Sequence, residues 1–247
     1  MKDIFQVLNQ RMSIRSFSDK KISDEDMSQI MLAATLGPSM NNFQPVTFIE
    51  IEDQDIKDEV TSLAGMGYIG SAARFIVVTI DYNKMFIGAT EEQVELMKAN
   101  LSWTNMYEGA VLSAGIASEN IVLAAESLGI GAVTMAGAVR PFAFLEEALE
   151  LPDFVKPVLG ISLGYADMNP GVKPKLPVDG GFWMKDKYDQ KNAENAVSEY
   201  NQIMSDYYQN RGVSDDWTQH NIKMLTRGVS DNSAQTEYTK SKGFAQK

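Results

Sequence analysis

Apolar positions recur at helical spacing from the start of the chain. Ile4, Val7 and Leu8 mark a short helix over 3–10 that ends near Arg11. Ser23 caps a second helix. Asp24, Glu25 and Asp26 fill its first turn, where the helix dipole favours acids, Met27, Ile30, Met31 and Ala34 form its apolar stripe, and Gly37-Pro38 stops it. Runs of β-branched and aromatic residues at 46–51 and 73–80 predict strands, separated by a helix over 55–64. Residues 91–128 keep a helical pattern too long for one ordinary surface helix. Two consecutive helices are predicted, with a softer centre near Gly109 and Gly115 and an Ala/Gly/Ser-rich second part suited to close packing in a core or a subunit interface. A strand or extended turn follows at 132–136, a helix at 141–149 and a buried strand at 156–163 that closes at Gly164-Tyr165. Beyond a proline-containing loop at 169–177 the chain is polar, with one clear helix at 193–208. The alternation is that of an α+β protein, without internal repeats.

The 247 residues suffice for one large domain, and a single domain over 1–247 is the expectation. Residues 179–247 hold Trp217, Arg227 and Phe244 among many polar residues. A tail of that kind is expected to wrap a partner subunit rather than fold alone.

Composition narrows the chemistry. With 44% hydrophobic and 22% charged residues the chain reads as globular rather than disordered. No apolar run approaches the roughly 20 residues that span a bilayer, and the start lacks the apolar core of a signal peptide, so a cytoplasmic protein without a membrane partner is expected. The absence of cysteine removes disulfides, thiolate nucleophiles and iron–sulfur clusters, leaving any redox chemistry to a bound cofactor. A single histidine, His220, argues against a histidine-rich metal centre, and no metal site is expected. A net charge of −11 disfavours general binding to nucleic acid or anionic membranes and makes any local group of cations informative.

Four segments stand out. Arg11-Met12-Ser13-Ile14-Arg15-Ser16-Phe17 can place two guanidinium groups and a hydroxyl on one side of an extended segment, an arrangement suited to phosphate; ordinary surface ion pairs account equally well for the arginines alone. Pro38-Ser39-Met40-Asn41-Asn42-Phe43-Gln44-Pro45 offers side-chain amides that could read a heterocycle edge, or simple turn chemistry. The small residues of 129–138 would let backbone approach a flat ligand, without the G-x-G-x-x-G spacing of a dinucleotide fingerprint. Lys173-Pro174-Lys175 sets two ammonium groups on a stiffened loop, able to meet a phosphate or the N1/O2 side of a flavin, or merely solvent.

Taken in order, these segments resemble the nitroreductase superfamily, in its branch that reduces flavins with NADPH. Arg11-x-Ser13-x-Arg15-x-Phe17 resembles the N-terminal FMN-phosphate motif, Pro38-Ser39-x-x-Asn42-x-Gln44-Pro45 the flavin-edge loop, and 125–131 (AESLGIG) the A-E-x-L-G-x-G segment. Gly164-Tyr165-Ala166-Asp167 through Lys173-Pro174-Lys175-Leu176-Pro177 is similar to G-x-P-D…K-P-R-L-P. Asp206-Tyr207-Tyr208, Trp217-Thr218 and Lys242-Gly243-Phe244 fall where that branch carries D-Y-Y, Trp-Thr and K-x-G-F.

The resemblance implies a mixed sheet flanked by helices in an intertwined homodimer, with the long central helix between subunits. It implies tightly bound FMN, with phosphate contacts from Arg11, Ser13, Arg15, Lys173 and Lys175 and flavin-ring or ribityl contacts from Ser39, Asn42, Gln44, Thr134, Met135, Ala136 and Gly137. Met12 stands where the family often has a second basic residue, Met66 or Gly67 where it has a glutamine, and Lys175 where it has an arginine; Met12 and Gly67 thus join the cofactor-binding set. Two identical sites at the dimer interface are implied, the Ser39–Gln44 loop serving the neighbour's flavin. The activity implied is ping-pong transfer of a hydride from NADPH or NADH through FMN to free flavin or to a flat nitroaromatic or quinone acceptor. Lys173 and Lys175 would polarise the flavin, with no dedicated acid or base, while Arg140, Arg211 and Arg227 are the choices for the 2′-phosphate of NADPH. Two rivals remain: a non-catalytic FMN-binding or flavin-storage protein, and a flavin-free interaction module.

Overall fold

The computed structural model describes residues 3–247. The helices are α1 (Ile4–Gln10), α2 (Asp24–Thr35), α3 (Gln54–Ala64), α4 (Glu91–Leu101), α5 (Thr104–Ser127), α6 (Phe142–Ala148), α7 (Val178–Gly181), α8 (Gln190–Gln209), α9 (Trp217–Leu225) and α10 (Ser233–Ser241). The strands are β1 (Val46–Glu50), β2 (Arg74–Asp81), β3 (Gly131–Met135) and β4 (Val155–Gly164). The two N-terminal helices start on side-chain caps, Asp3 and Ser23, whose oxygens accept the backbone N–H groups that the first turn leaves without partners.

The strands form one sheet in the order β1-β2-β4-β3, and its three ladders are antiparallel. Among the described residues the sheet is thus antiparallel rather than mixed, and the parallel bridge between Ser13 and Ala132 stands apart from its four strands. Strand β2 is buried on both sides: Ile76, Val78 and Ile80 join one apolar cluster with α2 and α5, while Phe75 and Val77 join the other with Val60 of α3.

The long helical stretch does divide in two, but at Ser102-Trp103 rather than near the glycines. Gly109 and Gly115 lie inside α5. At Gly109 the missing side chain makes room for Met40, whose Sδ lies 2.3 Å from where a Cβ would stand. Buried Ala110, Ser113, Ala114, Ala117 and Ser118 let α5 approach the sheet and α2 closely.

The C-terminal expectation needs correction in two respects. Three helices of nine or more residues form after 189, not one, because Asp189 and Asp216 cap α8 and α9 and Tyr200 of α8 and Tyr238 of α10 are buried. The chain also divides into two compact units, one running to Gly171 and resuming at Asn232–Lys247, the other Val172–Asp231. Residues 232–247 therefore complete the first unit instead of leaving it. Tyr238 stacks on Phe142 with ring centres 4.4 Å apart. Lys242, buried, donates to the Leu151 carbonyl at 2.9 Å and pairs with Glu146 at 3.1 Å. Phe244 is fully buried beside Tyr82, Tyr107 and Phe154. Gly243 between them has φ +87° with Phe154 packed 2.6 Å from the missing Cβ, which suits glycine alone.

Candidate functional site

The cationic N-terminal segment is held open by its apolar residues. Ile14 and Phe17 are buried, and each fills the space above a glycine: Ile14 over Gly131 at the start of β3, Phe17 over Gly164 at the end of β4. The Ile14 N–H donates to the Ala132 carbonyl at 3.0 Å and the Ser18 N–H to the Tyr165 carbonyl at 2.9 Å. Next to the inward Ile14, alternation puts Ser13 and Arg15 on the opposite side, although the buried Phe17 shows that the alternation ends before it. Arg15 is exposed; Arg11 lies 3.7 Å from Glu119 of α5, an ion pair at the longer end of the range. Met12 is half-buried against the second apolar cluster, so its side chain serves packing.

Beside this segment β3 runs out into the turn Ala136–Val139. Thr134 and Ala136 are exposed, whereas Met135 is buried in the second cluster and presents only its backbone. Gly137 does not lie open as the small-residue reading expected: the Met66 methyl sits 2.3 Å from the position of a Cβ there. Met66 thus occupies the space over the turn, while its neighbour Gly67 is exposed. Arg140, one residue past the turn, is exposed.

The loop at Ser39–Gln44 is strained. Asn41, Asn42 and Gln44 have φ of 50°, 55° and 50°, the left-handed region that non-glycine residues seldom adopt, and such strain clusters at ligand sites. Ser39 holds the loop shut, its hydroxyl oxygen accepting the Gln44 N–H at 3.0 Å, and so acts first on the loop's shape. Asn42 and Gln44 are exposed. The loop sits over Gly109 and Ser113 of α5, whereas Arg11 lies by Glu119, a separation of roughly 9–15 Å at the helical rise. Within one chain the two groups are therefore served by different turns of the same helix.

A cavity of about 220 Å³ opens beside this loop, lined by Ser39, Gln44, Gly37, Ser113, Phe48 and Lys84, among others. Lys84 was not singled out by the sequence; a cation just beyond a buried strand of an acidic chain is the signal that could have found it. Its ammonium donates to the Val46 carbonyl at 2.7 Å, and burial lowers its pKa against the opposing pull of Asp81.

In the second unit Lys173 and Lys175 are exposed on their loop, and the Lys173 ammonium donates to the Tyr208 hydroxyl oxygen at 3.3 Å. Arg211 stacks on the Tyr207 ring, its guanidinium carbon 3.7 Å from the ring centre, and Arg227 is exposed beyond α9. Among the described residues no group of histidines and carboxylates has metal-ligand geometry, and no helix is long and apolar enough to cross a membrane.

The donors present are guanidinium and hydroxyl groups for a phosphate, carboxamides for a heterocycle edge and ammonium groups for developing negative charge. This set suits a flavin mononucleotide in its chemistry.

Two family models match the chain: the nitroreductase family over residues 8–165, and the nitroreductase family C-terminal domain over 173–247. An NADPH-flavin oxidoreductase of Vibrio harveyi is 32% identical over 212 residues, 85% of either chain. An FMN reductase (NAD(P)H) of Bacillus subtilis is 32% identical over 214 residues, again 85% of each. Among solved structures, a nitroreductase from B. subtilis superposes with a TM-score of 0.92 at 25% identity, covering 99% of this chain and 100% of that one. The NADPH:FMN oxidoreductase of Vibrio harveyi complexed with NAD+ superposes with a TM-score of 0.87 at 29% identity, covering both chains fully.

Proposed function

The chain belongs to the nitroreductase family, and from that premise we propose that it is an FMN-dependent oxidoreductase which takes electrons from NADPH or NADH and passes them to free flavin or to a flat nitroaromatic or quinone acceptor. The observation that carries this reading is the Arg11–Ser13–Arg15 segment, two cations and a hydroxyl flanking the buried Ile14 in a chain of net charge −11. The relatives' names, an NADPH-flavin oxidoreductase and an FMN reductase, support the choice of cofactor and reductant.

Arg11, Ser13 and Arg15 bind the FMN phosphate, the arginines by charge-assisted forks. Thr134, Ala136 and the backbone of Met135 and Gly137 would hold the flavin or ribityl group, with Met66 packed over Gly137. Lys173 and Lys175 would supply ammonium charge to polarise the flavin when it is bound. When bound, FMN supplies the hydride chemistry itself, so the protein needs no acid–base pair. Reductant and acceptor bind in turn on one open face, a ping-pong order. Arg140, Arg211 and Arg227 select the 2′-phosphate of NADPH.

We place the protein in the cytoplasm as a homodimer. Phe5 of α1, Leu36 just after α2 and Leu112 of α5 are 71%, 75% and 68% exposed on or beside helices that pack together, and a second copy covers these apolar side chains. The strained Ser39–Gln44 loop then serves the partner's flavin, and residues 172–231, with exposed Phe182 and Trp183, wrap the partner. Initial rates with NADPH and FMN, each varied, test the order: parallel double-reciprocal lines are expected, and intersecting lines contradict it. Arg211→Ala and Arg227→Ala are expected to raise KM for NADPH and leave that for NADH unchanged; equal effects on both contradict the assignment.

A further inference from the structure

Helix α8 carries two tyrosines that hold the Lys173-Pro174-Lys175 loop from one side. Tyr200 and Tyr208 are separated by roughly 12 Å along the axis and less than a quarter turn around it. Tyr200 is 5% exposed, and its hydroxyl donates to the Pro174 carbonyl at 2.8 Å. The Tyr208 hydroxyl oxygen accepts the Lys173 ammonium at 3.3 Å. Both tyrosines are backed by α9. The Tyr200 ring meets Trp217 edge-on at 5.8 Å, and Tyr208 lies 6.5 Å from the His220 ring. Asn201 and Thr218 exchange two hydrogen bonds, of 2.8 and 3.0 Å, that fix the register between the two helices. The Asp-Tyr-Tyr and Trp-Thr segments of the sequence thus converge on the lysine loop.

We propose that Tyr208 and Tyr200 are positioning residues for the lysine loop in FMN binding, Tyr208 fixing the Lys173 ammonium and Tyr200 fixing the backbone between the two lysines. The proposal rests on the flavin reading of Lys173 given above. Its physical basis is that a lysine ammonium on a flexible stem lacks the preorganised fork of an arginine, so its charge acts at one place only if something else restrains it. A tyrosine hydroxyl can do this without neutralising the cation.

The test uses the full-length FMN protein with Tyr208→Phe, Tyr200→Phe, Lys173→Ala and the Lys173→Ala/Tyr208→Phe pair. FMN dissociation constants come from flavin fluorescence, the midpoint potential of the bound flavin from spectroelectrochemistry, and Tm from thermal unfolding. Tyr208→Phe is expected to weaken FMN binding by about threefold to tenfold, the range of one lost hydrogen bond. It should also shift the potential in the direction that Lys173→Ala shifts it, leave Tm unchanged, and add nothing in the Lys173→Ala background. Tyr200→Phe should weaken FMN in both backgrounds, because it also frees Lys175. If Lys173→Ala weakens FMN but Tyr208→Phe does not, or if Tyr208→Phe acts equally with and without Lys173, the positioning role is overturned while the flavin role of the loop stands. If Lys173→Ala changes neither affinity nor potential, the flavin reading of the loop fails and the positioning role falls with it.

Discussion

Lys156, near the start of β4, is 2% exposed. Its ammonium reaches the Pro157 carbonyl at 3.5 Å and stands 5.9 Å from each of the Tyr107 and Tyr238 ring centres. Burial pushes its pKa down from 10.5 to about 8. An unfolded lysine keeps its proton up to about 10.5, so between pH 8 and 10.5 the unfolded chain binds more protons than the native one. Stability therefore rises with pH across that window, and the cost of the buried charge is fully present below it. At 1.36 kcal/mol for a tenfold change in proton affinity, that cost is about 3 kcal/mol. Lys156→Met keeps a flexible apolar stem between the two rings and removes the charge. It is expected to stabilise the protein by about 1–3 kcal/mol at pH 7, less than the full cost because the ammonium's contacts with the carbonyl and rings are lost. Burial pushes both Tyr107 and Tyr238 up, so the two rings facing the site keep their protons to higher pH than free tyrosines do. Urea unfolding of both proteins at pH 7 and near pH 10.5, at equal flavin loading, should show a gain at the lower pH that shrinks towards zero at the higher. No gain at pH 7, or the same gain at both values, would refute the account of Lys156 as a charged buried lysine.

Arg15→Ala should weaken FMN binding by about tenfold to a hundredfold, the equivalent of one charge-assisted hydrogen bond, with Tm of the FMN-free protein unchanged because Ile14 and Phe17 still anchor the segment; flavin fluorescence titration measures it. Phe244→Ala should cost about 3–5 kcal/mol in urea unfolding, since it empties a fully buried place among three aromatic rings. Leu112→Glu places a charge on the exposed apolar stripe of α5 and should convert a dimer to a monomer in analytical ultracentrifugation; a wild-type monomer would contradict the dimer proposal itself.

The parts of the fold written in local chemistry were legible. Asp24, Glu25 and Asp26 behind a Ser23 cap give α2, and the β-branched runs give β1 and β2 nearly to the residue. The helix break was misplaced because Gly109 looks like a weak point, whereas its purpose is the packing of Met40, which no local pattern reveals. The break at Ser102 is instead pinned from a distance, its carbonyl accepting the Gln246 N–H at 2.7 Å while the Lys247 carbonyl accepts the Thr104 N–H at 3.0 Å. The return of 232–247 was missed for the same reason: a polar stretch conceals that Tyr238, Lys242 and Phe244 are buried one by one against 82–154. At the candidate site, the polar turn residues of 38–45 mark the loop at Ser39–Gln44, whereas the shared side expected of Arg11, Ser13 and Arg15 is a matter for the FMN-binding tests. Lys84 and the occupation of Gly137 by Met66 depend on tertiary contacts that spacing does not encode.

The central claim is that this chain binds FMN and accepts electrons into it from a nicotinamide. The visible spectrum of the purified protein, recorded before and after anaerobic addition of NADPH and then NADH, tests it most directly. The account predicts the bands of an oxidised flavin that bleach with at least one of the two donors. A yellow protein that neither donor bleaches would instead be a flavin-binding or storage protein, and a colourless protein that takes up no added FMN would contradict the account at its base.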